Sequence, residues 1–92
     1  MEISKVSIFL ITYDISKDKI RNKVFKLLGS IGSPLQKSVF ITDISEIQKN
    51  RIQEEIHKSM EKDDSLFVIP ICKKCYRNAK IISAKRDSVI IL

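Results

Sequence analysis

The first third of the chain alternates between an apolar run and an amphipathic stretch. Residues 6–13 are apolar on both alternating faces, which is typical of a central strand with neighbours on both edges. Asp14 ends this run, and Ser16 is predicted to act as the N-cap of a helix that continues to about Leu28. The helix is indicated by apolar residues that recur at helical spacing, namely Ile20, Val24, Leu27, Leu28 and Ile31.

The middle of the chain predicts extended structure and then a second helix. Gly29 and Gly32 are expected to end the first helix, and residues 35–42 have strand character. Periodicity leaves open whether this stretch is one strand or two short strands around a bend. Ser45 and Gln48 have the spacing of a capping box, which predicts a helix that begins there. Its apolar positions lie four residues apart: Ile52, Ile56 and Met60.

The last third of the chain predicts one more buried strand, a basic connector and an apolar terminus. Asp63 and Asp64 are expected to end the second helix, and residues 66–69 form a strand that stops at Pro70. The apolar run 89–92 is not expected to lie free in water. It either completes the chain's own sheet or adds to the sheet of a partner.

The order strand, helix, strand or strands, helix, strand and tail predicts an α+β sandwich of two helices on one antiparallel sheet. A ferredoxin-like βαββαβ arrangement leads this class. The 92 residues allow a single domain over residues 1–92, whose core is thin because a chain of this size buries only about 60–65% of its surface. Such folds serve RNA binders, small-ligand regulators and nucleases, so the fold does not decide the function.

Charge narrows the range of partners. The hydrophobic share of 43% excludes a disordered chain, and the formal net charge is +6. Basic residues concentrate in residues 17–26 and 73–86, whereas residues 43–64 are mainly acidic. Clustering of this kind favours contacts to the phosphate backbone of DNA or RNA, and the alternative is a merely solvated surface. The candidate nucleic-acid-binding residues are Lys17, Lys19, Arg21, Lys73, Lys74, Arg77 and Lys80.

Asp14 is the residue most indicative of chemistry. It follows the first buried strand and precedes a helix, where rigid backbone can hold a carboxylate towards an opening. Mg²⁺ typically takes one or two carboxylates together with substrate phosphates, so Asp14 is the candidate catalytic and metal-binding residue. The alternative is a carboxylate that caps the helix or closes the loop. His57, the only histidine, is expected to be a surface residue, which argues against nucleophilic triads.

Cys72 and Cys75 form a single C-x-x-C motif. This is half of a structural zinc site, and only two copies across a dimer would supply four ligands. Redox chemistry of the thioredoxin type would need a different strand–helix context, so two small thiols in a turn remain the favoured interpretation. No signal peptide is recognisable, and no apolar run approaches the ~20 residues of a membrane span. A cytoplasmic protein without membrane contact is expected.

Several short motifs together carry a family resemblance. They are Tyr13-Asp14-Ile15-Ser16, Asp18-Lys19, Arg21, Lys23-Val24, Leu27-Leu28, Gly32, Gln36-Lys37-Ser38-Val39-Phe40, Asp64-Ser65 and Pro70-Ile71. Their order and spacing resemble the small CRISPR-associated adaptation protein, the second of the two core spacer-acquisition proteins. The similarity runs from about Val6 to Cys75, and the C-terminal strand also fits.

The resemblance implies a ferredoxin-like fold and a symmetric homodimer. Residues 84–92 would contain a C-terminal strand that packs against the partner's sheet, and residues 35–42 would form two strands bent near Lys37-Ser38. Asp14 matches the family's metal-binding carboxylate, with one from each protomer facing across the two-fold axis. Asn22 and Ile20 replace basic residues that are often found in the first helix of members.

The resemblance also implies a function in CRISPR adaptation. Members are described as Mg²⁺-dependent endonucleases on RNA or DNA, and as scaffolds that bridge dimers of the CRISPR integrase subunit. The expected function is therefore a metal-dependent phosphodiester endonuclease and dimeric scaffold. The alternatives are a non-catalytic DNA-bridging adaptor, a related toxin-like ribonuclease and a small-ligand regulatory module.

Overall fold

The computed structural model of the protein describes residues 6–82 and 89–91. Its elements are β1 (Val6–Asp14), α1 (Asp18–Gly29), β2 (Gly32–Gln36), β3 (Val39–Ser45), α2 (Glu46–Ser59), β4 (Ser65–Ile71), α3 (Lys73–Arg77), β5 (Lys80–Ile82) and β6 (Val89–Ile91). The first four strands form one antiparallel sheet in the order β2-β3-β1-β4. With α1 and α2 as the two crossovers, this is the predicted ferredoxin-like arrangement.

The central position of β1 explains why its sequence is apolar throughout. Ile11 lies opposite Phe40 of β3 on one edge and Val68 of β4 on the other. Phe9, Ile11 and Tyr13 alternate on the face covered by the helices and are buried. The intervening side chains of β1 occupy the opposite face of the sheet, away from the core formed with α1 and α2. At one end of this face, Tyr76 of α3 lines a cavity together with Ile8 and Ile41.

The core lies between the sheet and the two long helices. Its buried hydrophobic residues are Phe9, Ile11, Tyr13, Ile15, Val24, Leu28, Phe40, Ile44 and Ile56. The predicted apolar stripe of α1 is confirmed, since Val24 and Leu28 are fully buried and Ile20 packs against their cluster. Thr42 is the buried polar residue found among the described residues, and its hydroxyl donates to the Phe9 carbonyl at 3.2 Å.

The capping box and the bend are confirmed. The backbone N–H of Gln48 donates to Ser45 Oγ at 3.2 Å, and the Ser45 N–H donates to Gln48 Oε1 at the same distance. Lys37 and Ser38 form the turn between β2 and β3, and Ser38 adopts a left-handed φ of 65°. A residue in this conformation lets the chain reverse within two residues.

The predicted boundaries at both ends of α1 need correction. Lys17, not Ser16, is the N-cap of α1, and it makes no side-chain cap hydrogen bond. Ser16 lies in the preceding loop, where its backbone N–H donates to the carboxylate of Asp64, 48 residues further along the chain. The helix ends at Gly29 as expected, whereas Gly32 is the first residue of β2.

Two further boundaries differ from the prediction. The helix α2 ends at Ser59, before the two aspartates that were expected to stop it. The strand β4 continues through Pro70 to Ile71. This strand is the edge of the sheet, where the missing N–H of a proline removes no hydrogen bond between strands.

The chain after β4 forms a short helix and a second sheet. Lys73–Arg77 is the short helix α3, and β5 pairs with β6 in a two-stranded antiparallel sheet. The terminal strand therefore pairs within its own chain, but the described part of it does not join the four-stranded sheet. Residues 84–88 and 92 of the predicted dimer-packing segment lie outside the described residues. No helix in the described ranges has the length and apolarity needed to cross a bilayer.

Candidate functional site

Asp14 is the last residue of β1 and is exposed. The alternation of β1 buries Tyr13 among the helices and places Asp14 on the opposite side of the sheet. In the antiparallel register Asp14 lies opposite Ser65, the first residue of β4. The rigid centre of the sheet thus holds the carboxylate at an accessible edge, as the sequence predicted.

The surface beside Asp14 is largely apolar. We call it the open sheet face, and it consists of the residues that point away from α1 and α2: Ile8, Leu10, Thr12, Asp14, Val39, Ile41, Asp43, Phe67, Ile69 and Ile71. On β4, Phe67 is 59% exposed and Ile69 is 43% exposed. Large apolar side chains gathered on one face are typical of an interaction surface.

The loop that follows Asp14 is held by side chains from two directions. The backbone N–H of Ser16 donates to Asp64 Oδ1 at 3.3 Å. Arg21 Nη1 donates to the carbonyls of Ile15 at 2.9 Å and Ser16 at 3.1 Å, and the same guanidinium pairs with Asp18. These contacts give the β1–α1 loop a defined path although it contains no regular structure.

The candidate nucleic-acid residues near α1 do not share one environment. Lys17 forms an ion pair with Glu61 at 3.0 Å, and Arg21 is engaged by the loop carbonyls. Lys19 is exposed and lines a shallow groove on the outer side of α1 together with Lys23 and Lys26. The groove therefore contains two lysines that belonged to the basic segment but not to the candidate set. Their i, i+4, i+7 spacing from Lys19 is the signal that identifies them.

The basic candidates on the connector are all exposed. Lys73, Lys74 and Arg77 belong to α3, and Lys80 begins β5. The basic connector (residues 73–80) thus presents four cationic side chains within one short helix and the strand after it. Its charges are available to an anionic partner of the kind that the sequence predicted.

Cys72 and Cys75 are exposed free thiols that share one helical turn. The backbone N–H of Cys75 donates to Cys72 Sγ at 3.3 Å, and this hydrogen bond lowers the pKa of the Cys72 thiol. The hydrogen bond with Cys72, together with the charge on that residue, raises the pKa of Cys75. The favoured interpretation of two thiols in a turn is close to what the structure shows, with α3 as the turn.

The remaining titratable candidate, His57, is exposed on α2, as expected of a surface residue. Across residues 6–82 and 89–91, no three histidine, cysteine, aspartate or glutamate side chains are gathered as a metal-binding cluster. One chain thus contributes a single carboxylate at the end of β1. Mg²⁺ is commonly held by one or two carboxylates with water and phosphate oxygens, so the chemistry of Asp14 fits one ligand of such an ion.

The antiparallel sheet, its two crossover helices and the carboxylate at the end of the central strand define a small ferredoxin-like α+β protein. Residues 7–79 match the family model described as CRISPR associated protein Cas2. The chain belongs to the Cas2 family. The resemblance seen in the sequence motifs is thereby confirmed, from the strand before Asp14 to the connector.

Characterised relatives support the same assignment. The chain is 41% identical over 66 residues to "CRISPR-associated endoribonuclease Cas2 2" of Methanospirillum hungatei JF-1, a match that covers 72% of this chain and 74% of that protein. It is 33% identical over 76 residues to "CRISPR-associated endoribonuclease Cas2 1" of Archaeoglobus fulgidus, with coverage of 80% and 81%.

Solved structures share the fold. A crystal structure of Streptococcus pyogenes Cas2 at pH 6.5 superposes with a TM-score of 0.74 at 22% identity, covering 83% of this chain and 99% of that one. A second structure, titled "Crystal structure of cas2", gives a TM-score of 0.72 at 20% identity and covers 96% and 99%. The ferredoxin-like arrangement is common to all three chains.

Proposed function

We propose that the protein is a Mg²⁺-dependent endonuclease that cleaves phosphodiester bonds of RNA or DNA through Asp14, and that it works as a homodimer in CRISPR adaptation. The observation that carries the proposal is the position of Asp14. This exposed carboxylate ends the central strand and borders an exposed apolar face, in a chain whose relatives are named endoribonucleases.

A second copy of the chain is the occupant we propose for the open sheet face. Phe67 and Ile69 would be buried there, and each Å² of apolar surface removed from water contributes about 25 cal/mol. Asp14 borders the same face, so a two-fold pairing whose axis passes beside Asp14 would bring a second Asp14 to the site. The thin core of a 92-residue chain gains stability from the same association.

Asp14 from each copy would hold the metal, and the basic side chains would hold the substrate backbone. When bound, Mg²⁺ supplies an activated water and neutralises charge on the phosphate. The rigid end of β1 fixes the carboxylate, and the loop contacts of Arg21 keep the backbone after it in place. A site with one carboxylate from each copy is minimal, so we expect slow cleavage.

The exposed lysines and arginine suit a phosphate backbone because such contacts release counterions without reading base sequence. The basic connector and Lys19 present their charges on elements other than β1. Binding along DNA or RNA is therefore proposed to be largely independent of sequence. In adaptation, the homodimer would bridge copies of the CRISPR integrase subunit along DNA.

The test replaces Asp14 with asparagine. We expect Asp14→Asn to lower Mg²⁺-dependent cleavage of a labelled oligonucleotide by at least about 100-fold, because a neutral amide is a poor Mg²⁺ ligand. Asp43→Asn is the matched control, since Asp43 is an exposed carboxylate on the same open sheet face at β3. Equal cleavage by wild type and Asp14→Asn would show that Asp14 does not carry the activity.

A non-catalytic DNA-bridging adaptor is the second candidate function. It is favoured by the four exposed charges of the basic connector, which lie on elements separate from the strand of Asp14. In this case Asp14→Asn retains duplex binding and integrase association, measured by gel shift and co-purification. If the variant keeps its fold but loses both duplex binding and integrase association, the adaptor function depends on the metal site and is not an independent function.

A further inference from the structure

We infer that Asp64 is a positioning residue for Asp14: with Arg21, it holds the β1–α1 loop (residues 15–17) in the path that presents the metal-binding carboxylate. This inference rests on the proposed function and assigns a role to the Asp64-Ser65 motif. The motif takes no part in the chemistry described above, yet it lies directly beside Asp14.

The carboxylate of Asp64 joins two loops. Its Oδ1 accepts from the backbone N–H of Ser16 at 3.3 Å, in the β1–α1 loop. Its Oδ2 accepts from the backbone N–H of Glu61 at 2.9 Å, in its own α2–β4 loop. Hydrogen bonds to a carboxylate are stronger than those to a neutral acceptor, and through its Oδ1 this side chain links segments that are 48 residues apart in sequence.

Arg21 completes the arrangement from the side of α1. Its Nη1 donates to the carbonyls of Ile15 and Ser16, so both backbone polar groups of Ser16 are held by side chains. Ile15 is itself buried in the core, at 4% exposure. The N–H and the C=O of Ser16, two residues after Asp14, are therefore both restrained. The side chain of Ile15, which lies between Asp14 and Ser16 in sequence, is anchored in the core.

The other side of Asp14 is restrained by the sheet. Ser65 lies opposite Asp14 in the β1–β4 register, and Ser65 directly follows Asp64. A shift of Asp64 would disturb both neighbours of the carboxylate at once, the strand partner and the loop. A small displacement of the Asp14 carboxylate matters, because a metal ligand acts only within a narrow range of distances and angles.

A positioning role fits Asp64 better than a role as a second metal ligand. Each of its two carboxylate oxygens already accepts a backbone N–H. Arg21, predicted from the sequence to bind phosphate, is likewise used by the loop carbonyls. The two side chains therefore act on the site through the backbone of the loop.

The experiment compares Asp64→Asn with Asp63→Asn. Both variants remove one negative charge from adjacent positions, but of these two aspartates it is Asp64 whose carboxylate accepts from backbone N–H groups of both loops. Asparagine also tolerates the left-handed φ of 75° at Asp63. An asparagine at position 64 keeps one oxygen and turns the other into a donor, so one of the two N–H groups loses its acceptor.

Two readouts that need no turnover are measured by NMR on the full chain. The first is hydrogen exchange of the Ser16 and Glu61 amides, which we expect to quicken by about tenfold at one or both positions in Asp64→Asn. The second is broadening of the Asp14 and Ile15 amide signals by Mn²⁺ alone. We expect its midpoint concentration to rise by about tenfold in Asp64→Asn and to stay at the wild-type value in Asp63→Asn.

Arg21→Lys serves as the second variant if Asp64→Asn does not fold, because lysine keeps the charge but cannot span two carbonyls as a planar guanidinium does. It is expected to raise the Mn²⁺ midpoint in the same way. Unchanged amide exchange in Asp64→Asn, or faster exchange with a wild-type Mn²⁺ midpoint, would overturn the positioning role of Asp64 and leave the proposed metal site at Asp14 intact. A wild-type chain whose Asp14 signal is unaffected by Mn²⁺ would overturn the proposed metal site and the inference with it.

Discussion

Individual side chains around Asp14 divide into those that face solvent and those that hold backbone. Arg21 belongs to the second group because it donates to the loop carbonyls, whereas Lys17 is paired with the side-chain carboxylate of Glu61. A count of charges along the chain places both residues in a basic cluster and cannot distinguish them from Lys19. The distinction depends on partners such as Glu61, which is 44 residues away from Lys17.

The two thiols offer a prediction at the scale of single residues. Because the pKa of Cys72 is lowered and that of Cys75 is raised, Cys72 holds the larger thiolate fraction at any pH below their titrations. Iodoacetamide is therefore expected to alkylate Cys72 first at neutral pH. The rate at Cys72 should rise at lower pH than the rate at Cys75, as followed by peptide mass spectrometry.

The variant Cys72→Ala is the control for this assignment. Cys72 is the main cause of the raised pKa of Cys75, so its removal should shift the alkylation of Cys75 to lower pH. If Cys75 instead reacts first in the wild-type chain, the hydrogen bond from its N–H to Cys72 does not govern the reactivity of the pair.

The two glycines show how one element depends on its neighbour. A Cβ at Gly32 would lie 2.5 Å from the Ile41 carbonyl oxygen and 2.6 Å from Thr42 Cγ2, whereas a Cβ at Gly29 would meet nothing within 4 Å. Gly32→Ala is expected to lower the free energy of unfolding by about 1–3 kcal/mol, because β2 must move away from β3. Gly29→Ala is expected to raise it by up to about 1 kcal/mol, because Gly29 is helical.

Urea denaturation of both variants measures this difference directly. The two substitutions add the same methyl group, so their comparison isolates the contact with β3. Equal destabilisation of the two variants would mean that β2 and β3 do not approach as closely at Gly32 as the register between Gly32 and Thr42 requires.

Most elements could be predicted because their signals are local. The stripe of α1 and the capping box of α2 depend on residues within about three turns of each other. The path of the chain at Ser16 could not be predicted, because the carboxylate that binds its N–H comes from Asp64, 48 residues away. Pro70 was expected to end β4, since only the order of strands reveals that β4 lies at an edge.

The part of the molecule that the structure describes is more extended than a compact domain of similar length. Its radius of gyration is 14.0 Å, against about 12 Å for a compact domain of this size. The β5–β6 hairpin is hydrogen-bonded within itself and apart from the four-stranded sheet. A hairpin in this position is available to the sheet of a second copy, which supports the proposed homodimer.

The dimer proposal predicts that substitution of two exposed isoleucines has different effects on dimerisation. Ile69 is 43% exposed on the open sheet face, and Ile47 is 56% exposed on α2. Ile69→Glu is expected to weaken dimerisation by at least about tenfold, because it places a charge in the apolar centre of the interface. Size-exclusion chromatography with light scattering measures the mass. Ile47→Glu should remain dimeric, and a dimeric Ile69→Glu would exclude this face as the interface.

Binding of nucleic acid gives a second prediction at this scale. Arg77→Glu with Lys80→Glu is expected to weaken duplex binding by at least about tenfold and to lower the slope of affinity against salt by about 2. Arg51→Glu with Lys58→Glu on α2 makes the same change of charge at exposed positions and should have the smaller effect. Fluorescence anisotropy at several salt concentrations measures both. Equal losses would indicate net charge as the cause, and no loss would remove the basic connector from the interface.

The sequence by itself determined the two long helices, the buried strands β1 and β4, the location of Asp14 after a buried strand, and the family resemblance. Periodicity and capping act over a few neighbouring residues, and the order of short motifs along the chain can be read without a structure. Only the tertiary structure decided which face of the sheet stays open, which cations are already paired, and that Asp64 and Arg21 hold the loop after Asp14. Those properties arise from hydrogen bonds and strand order that join distant parts of the chain, and no local pattern encodes them.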